Sequence, residues 1–155
     1  MSLAELAGRS FAPTGPHEVT DDRVAEFAAA TGASYDGGAA PVTFPIVVAF
    51  EAIRALVEEP TAGLTLARIV HGEQRFAYRR PVRPGDVLTA RLTVESVRSM
   101  GGSDIIRTVT DIADRDGETV VTAWATLIHR AAEPADGSAG DGPRLPPPRT
   151  AGDTS

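Results

Sequence analysis

Two stretches of the chain keep different periods, and the change between them decides the fold: "TFPIVVAFEAIRALVEEP", residues 43–60, and "DVLTARLTVESVRS", residues 86–99. In the first, Ile46, Phe50, Ile53 and Val57 recur at helical spacing, and Val47 and Leu56 widen the stripe on either side. Thr43 can cap this helix, Pro45 is tolerated in a first turn whose N–H groups need no helical partner, and Pro60 stops it. Arg54 falls on the flank, where its stem packs and its head reaches water. In the second stretch, Leu88, Ala90, Leu92 and Val94 alternate with Thr89, Arg91, Thr93 and Glu95, the period of a half-buried strand.

Working outward, "HEVTDDRVAEFAAATG" (17–32) carries a shorter helix. Thr20 or Asp21 caps it, acids fill its first turn, Val24, Phe27 and Ala28 share a face, and Gly32 closes it. Beyond Pro60, "RIVHGEQRFAYRRP" (68–81) reads as a strand followed by the turn "VRPGD". "DIIRTVTDIAD" (104–114) and "TVVTAWATLIHR" (119–130) read as two more strands, joined by an Asp-Gly hairpin signal in "RDGE". One long apolar helix followed by three or four long strands predicts an α+β fold, an antiparallel sheet wrapped over the helix. The order excludes a Rossmann-like arrangement, which alternates strands with helices.

Composition bounds the function. The 155 residues suit one domain, and 21 acids against 15 bases give a net charge of −6, which argues against a nucleic-acid partner. The absence of cysteine excludes disulfides and thiolate metal sites and fits a reducing compartment. No leader pattern is evident, and the longest apolar run, "FPIVVAF", is too short to span a bilayer, so the expected location is the cytoplasm. Residues 131–155, "AAEPADGSAGDGPRLPPPRTAGDTS", hold one large apolar side chain, Leu145, and read as a disordered Pro/Gly-rich tail after a single domain over residues 1–130.

Three features carry a family likeness: Ala40, Pro41, Thr43 and Phe44 ahead of the long helix; the "HGEQ" strand, His71 to Gln74; and the turn made by Arg80, Pro81, Gly85 and Asp86. With the closing "VVTAWATLI", they resemble the hot-dog fold of the MaoC-like (R)-specific enoyl hydratases and 3-hydroxyacyl dehydratases, and most closely the non-catalytic halves of that family. The resemblance covers about residues 9–130. In catalytic members, an Asp and a His of a "D-x-N-P-x-H" motif handle one water molecule and the C2 proton of an acyl thioester. Backbone N–H groups at the start of the central helix polarise the thioester oxygen. The corresponding loop here, "TGASYDGGAAP" (31–41), holds neither Asn-Pro nor His.

The resemblance therefore implies a substrate-holding subunit of a (3R)-3-hydroxyacyl-thioester dehydratase or enoyl hydratase that acts on acyl-ACP or acyl-CoA. It pairs with a catalytic MaoC-like subunit or with itself and needs no cofactor or metal. Asp36 and His71 are weak catalytic candidates: Asp36 reads as a solvated turn residue, and His71 as structural. Pro41, Thr43, Phe44, Pro45, Ile46, Val47 and Phe50 are the expected acyl-holding residues, with core packing as the alternative for Ile46 and Phe50. The strand at His71, Gly72, Glu73 and Gln74 is the expected dimer seam. His17 and His129 read as solvent-exposed. Two rival readings remain: a thioester-binding module without turnover, and a hot-dog thioesterase using Glu51, whose position on the helix points to solvent or a subunit seam.

Overall fold

A computed structural model describes residues 2–130; the tail expected from residue 131 onward lies outside the described residues. The chain runs through strand β1 (His17–Glu18), helices α1 (Asp21–Thr31) and α2 (Ile46–Val57), and strands β2 (Ile69–Tyr78), β3 (Val87–Met100), β4 (Ser103–Ala113) and β5 (Thr119–Arg130). The strands form one antiparallel sheet in the order β1-β3-β4-β5-β2. This is the expected α+β hot-dog architecture, with α2 as the enclosed helix.

Local chemistry places most of these elements. The Thr20 hydroxyl accepts from the Arg23 N–H at the start of α1, and Gly32 ends the helix at φ 73°, a conformation that favours glycine. On β3, Leu88, Ala90, Leu92 and Val94 are all buried, as the alternation predicts. The Asp116-Gly117 signal marks the β4–β5 turn but not its type: the Gly117 N–H bonds the Asp114 carbonyl at 3.0 Å, with Gly117 at φ 81°. The hairpin loop is thus longer than a two-residue turn.

The N-terminal segment contributes what periodicity did not announce. Gly8, Phe11 and Thr14 donate backbone N–H groups to the carbonyls of Val94, Leu92 and Ala90. Residues 8–18 thereby cover the free edge of β3, and Leu6, Phe11 and Val19 enter the core. The opposite edge of the sheet, along β2, has no such cover among the described residues.

Helix α2 differs from expectation in two respects. It begins at Ile46 with Pro45 at its N-cap and no side-chain cap, because residues 42–45 already wind into turns, so Thr43 does not cap it. Its buried face is Val48, Ala49, Ala52, Ile53 and Leu56, turned against β3 and β4. Ile46 and Val57 are half-buried and Phe50 is 50% exposed. The helix has two adjacent apolar faces, and the one bearing small Ala49 and Ala52 packs, since it allows close approach to the strands.

The "RP-x-x-x-GD" turn is an ionic clamp. Arg80 donates to both oxygens of Asp86, at 2.9 and 3.2 Å, and reaches Asp114 at 3.5 Å, while the Arg83 N–H also donates to Asp86. It ties the end of β2 to the start of β3 and to the β4–β5 loop. The N–H of Glu118 is the main influence lowering the Asp114 pKa; burial opposes it, and the Asp116 N–H and Arg80 add to it.

Leu56→Ala, which empties a fully buried position, should lower unfolding free energy by about 2–5 kcal/mol, read as a lower denaturant midpoint at unchanged slope. Because the folded-state pKa of Asp114 lies below its unfolded value, its contribution is present at neutral pH and disappears as pH falls through the acid range. Asp114→Asn should accordingly flatten the acid limb of the stability–pH curve; an unchanged limb would remove Asp114 from the clamp.

Candidate functional site

The second apolar face of α2 creates the most pronounced apolar hollow among the described residues. Because α2 lies over β3 and β4, a cleft of ≈ 590 Å³ opens on its other side, lined by Phe50, Ile53 and Val57 from the helix, Leu66 from the following turn, and Ile69 and Leu127 from the sheet. Its wall is predominantly apolar, with the Arg54–Glu58 ion pair at its margin, and Leu66 is 71% exposed beside it. Exposed large side chains gathered in one place mark an interaction or ligand surface.

His71 stands at the rim. The β2–β5 register shifts between His71 and Glu73, so His71 lies opposite the inward-facing Leu127 and Glu73 opposite Thr126. The His71 ring meets Phe50 edge-on at 5.7 Å, and its Nε2 lies 3.0 Å from Gln74 Oε1. His71, Gly72, Glu73 and Gln74 thus occupy the uncovered edge strand, and two of the expected site residues, Phe50 and His71, meet at the cleft.

The other expected acyl-holding residues divide. Phe44 is in the core, edge-on to Phe27 at 5.4 Å, and Pro45 is buried with it. Thr43 is exposed, whereas Pro41, Ile46 and Val47 are half-buried. The N–H groups of Ile46, Val47 and Val48 donate to the carbonyls of Thr43, Phe44 and Pro45, each at 3.1 Å. The donors that a thioester oxygen would need at this helix start are occupied by the chain's own turn.

In the preceding loop, Asp36 accepts the Gly38 N–H at 3.0 Å, an exposed Asx turn. The Tyr35 hydroxyl donates to Asp21 at 2.5 Å, and this bond is the main reason its pKa is pushed up to about 12. Tyr78, whose pKa burial also raises to about 12, donates to the Val42 carbonyl and anchors the loop to the end of β2.

Two histidines correct the solvent-exposed reading. His129 is buried at 8% exposure, and its Nε2 accepts the Thr65 N–H at 3.1 Å, fixing the turn ahead of β2. The His17 side chain is 11% exposed, with Nδ1 3.6 Å from Glu51 and Nε2 without a partner. Both sit on strands covered from above by segments distant in sequence, which single-strand patterning does not reveal. Glu51 is exposed, engages His17, and is absent from the cleft wall.

Comparison with known proteins agrees with this geometry. A family model described as the FAS1-like dehydratase domain region matches residues 7–123. A UPF0336 protein of Streptomyces coelicolor is 44% identical over 84% of this chain and 96% of its own length, and one of Leifsonia xyli subsp. xyli is 43% identical over 83% and 95%. Among solved structures, the C-terminally truncated HadBC (3R-hydroxyacyl-ACP dehydratase) complex of Mycobacterium tuberculosis aligns at TM-score 0.70 and 28% identity, over 79% of this chain and 96% of that one. A MaoC-like dehydratase aligns at 0.70 and 26%, over 84% of this chain and 44% of that longer one. The (R)-hydratase of A. caviae, at 19% identity, TM-score 0.58, and coverage of 81% and 96%, shares the fold. Matched in this way over most of its length, the chain belongs to the FAS1-like dehydratase-region family, among the MaoC-like hot-dog hydratases and dehydratases.

Proposed function

We propose that this chain is the substrate-holding, non-catalytic half of a (3R)-3-hydroxyacyl-thioester dehydratase or enoyl hydratase, working on acyl-ACP or acyl-CoA in the cytoplasm. The observation that carries the reading is an apolar cleft beside an uncovered edge strand, whose titratable groups are already engaged: Arg54 and Glu58 pair with each other at 2.9 Å, and His71 lies 3.0 Å from Gln74. Phe50, Ile53 and Leu66 offer an acyl chain an apolar wall. Asp36 is turned into its own loop, and the first N–H groups of α2 are already bonded. In hydration, water adds its hydroxyl to C3 of the enoyl group and a proton to C2; dehydration reverses this. Both proton transfers fall to a partner's Asp and His on this reading.

The pairing surface is β2. The strand is ten residues long and pairs with β5 on one side, so its alternate residues turn their N–H and C=O groups to the open edge, and an edge of that length beside an apolar cleft is a template for another strand. A second MaoC-like subunit, or a copy of this chain, continues the sheet there. No helix among the described residues is long and apolar enough to cross a membrane.

Purified alone, the chain should hydrate crotonyl and longer enoyl thioesters negligibly, and activity should appear when it is co-expressed with a subunit bearing the Asp/His motif. Turnover by the isolated chain at the partner-bearing rate would overturn the proposal. Acyl-thioester retention with no turnover in either preparation would favour a binding module instead. Phe50→Glu, placing a charge in the cleft, should weaken pairing at least about tenfold, since burying an unpaired carboxylate costs well over 1 kcal/mol. Sedimentation of the co-expressed complex, together with circular dichroism to verify folding, reads this directly.

A further inference from the structure

The sheet has a second face, turned away from α2. On β5, Ala123, Ala125 and Leu127 are buried, so the alternate residues Trp124, Thr126 and Ile128 point outward. On β4, Ile106 and Thr108 are buried, and Ile105, Arg107 and Val109 point outward. Large apolar side chains stay partly open here: Trp124, Val109, Ile105 and Ile128 are only half-buried, and Val70 of β2 is 45% exposed. Beside Trp124 lies a hollow of ≈ 250 Å³ edged by Glu73, Arg75, Glu95 and Arg107.

The strand registers order these side chains into rows across β4, β5 and β2. Ile105, Ile128 and Val70 form an apolar row. Next comes Arg107, Thr126 and Glu73, and then Val109, Trp124 and Arg75. Glu73 pairs with Arg75 at 3.4 Å, and the Arg75 guanidinium lies over the Trp124 ring at 5.1 Å. Arg107 and Glu95 edge the same hollow, yet neither has an ion-pair partner among the described residues.

This pattern is complementary to itself. Half a turn about an axis lying along β5, just outside the face, sets every row against its own image and β4 against the second copy's β2. Ile105 then meets Val70, Arg107 meets Glu73, and Trp124 packs on Trp124, with the hollow leaving room for the second ring. Each cross contact occurs twice, as two-fold symmetry requires. Other axes fit worse. One running across the strands at the hollow would set Ile105 and Ile128 on the polar row of Asp111 and Thr122, and one between β4 and β5 would set Glu73 against Glu95. Sheets do pack aligned in this way, about 10 Å apart. Four strands over about ten residues offer roughly 650 Å² on each copy, which makes a specific interface of about 1,300 Å² in all. Tryptophan and arginine are the side chains that such interfaces favour.

We infer that two copies of this chain pack through the outer faces of their sheets, with Arg107 of each on Glu73 of the other and Trp124 at the centre. The β2 edge stays open in this arrangement, so the stacking adds to the seam proposed above and does not depend on it. Sedimentation of the full chain, with Trp124 emission followed alongside, tests the inference. Trp124 is the chain's one tryptophan, so its emission reports this face and not the β2 edge. Dilution of the wild-type chain should halve the mass and shift the emission to the red together. R107E and E73R, each verified as folded by circular dichroism, put two like-charge contacts where two opposite ones stood. Each should weaken self-association at least about tenfold. Mixed in equal amounts, the two variants regain both contacts and should restore the wild-type mass and emission. Wild-type mass in either variant alone, or no recovery on mixing, would overturn the stacking. A fall in mass on dilution with unchanged Trp124 emission would overturn it too, and would place self-association at β2. If R107E lowered only the mass of a complex with a co-expressed catalytic subunit, the face would belong to that subunit and the second copy would be ruled out.

Discussion

A single helix is too narrow to cover a five-strand sheet. An α-helix with its side chains is about 10 Å across, and adjacent strands lie about 4.8 Å apart, so α2 can press closely on two strands at a time. Ala49 and Ala52 set it over β3 and β4. The β5 side of the sheet is brought in by curl, but β2 is left with its inner face open and its edge unpaired. The cleft and the exposed ring of Phe50 both descend from that mismatch in width. The two edges of the sheet are treated differently: residues 8–18 cover β3 from within the chain, and nothing in the described residues does the same for β2.

How much of this the sequence discloses depends on whether side chains or backbone make the contact. The strand β3 was legible because its alternating residues meet one core face, and β5 because it is rich in β-branched residues between a turn and a charged end. The helix α1 announced itself through Thr20 and Gly32. Residues 8–18 were not legible as a sheet margin, because they pair mainly through backbone N–H and carbonyl groups, which every residue carries. The buried face of α2 was misjudged for a related reason. Val, Ile and Phe at two neighbouring faces give the same apolar reading, and only the sheet's position selects between them. Counting large side chains favoured Ile46 and Phe50, whereas contact favoured the face with two alanines.

The candidate site was legible mainly through what the loop lacks. Without Asn-Pro and His in residues 31–41, the family resemblance itself pointed away from proton transfer, and Asp36 sits in the Asx turn that its glycine neighbours imply. The cleft was less readable, since its wall comes from the helix, the Leu66 turn and two strands that are distant in sequence. Phe44 was chosen for a tunnel and lies instead against Phe27, because the turns before α2 swing its ring inward. His129 and His17 show the same limit: each finds its neighbour more than thirty residues away, His129 at Thr65 and His17 at Glu51.

A division of labour follows from the cost of polar groups near apolar ones. A carboxylate and an imidazole poised for proton transfer must be partly desolvated, and each needs hydrogen-bonding support to remain in the required state. Placing them beside the acyl chain would break an apolar wall such as the one formed by Phe50, Ile53 and Leu66. In the proposed assembly, this half keeps that wall intact and leaves α2's first N–H groups tied up in turns, while the partner brings the acid–base pair to the seam. The apolar contacts that hold the substrate and the polar contacts that transform it can therefore vary separately, each on its own side of the shared sheet.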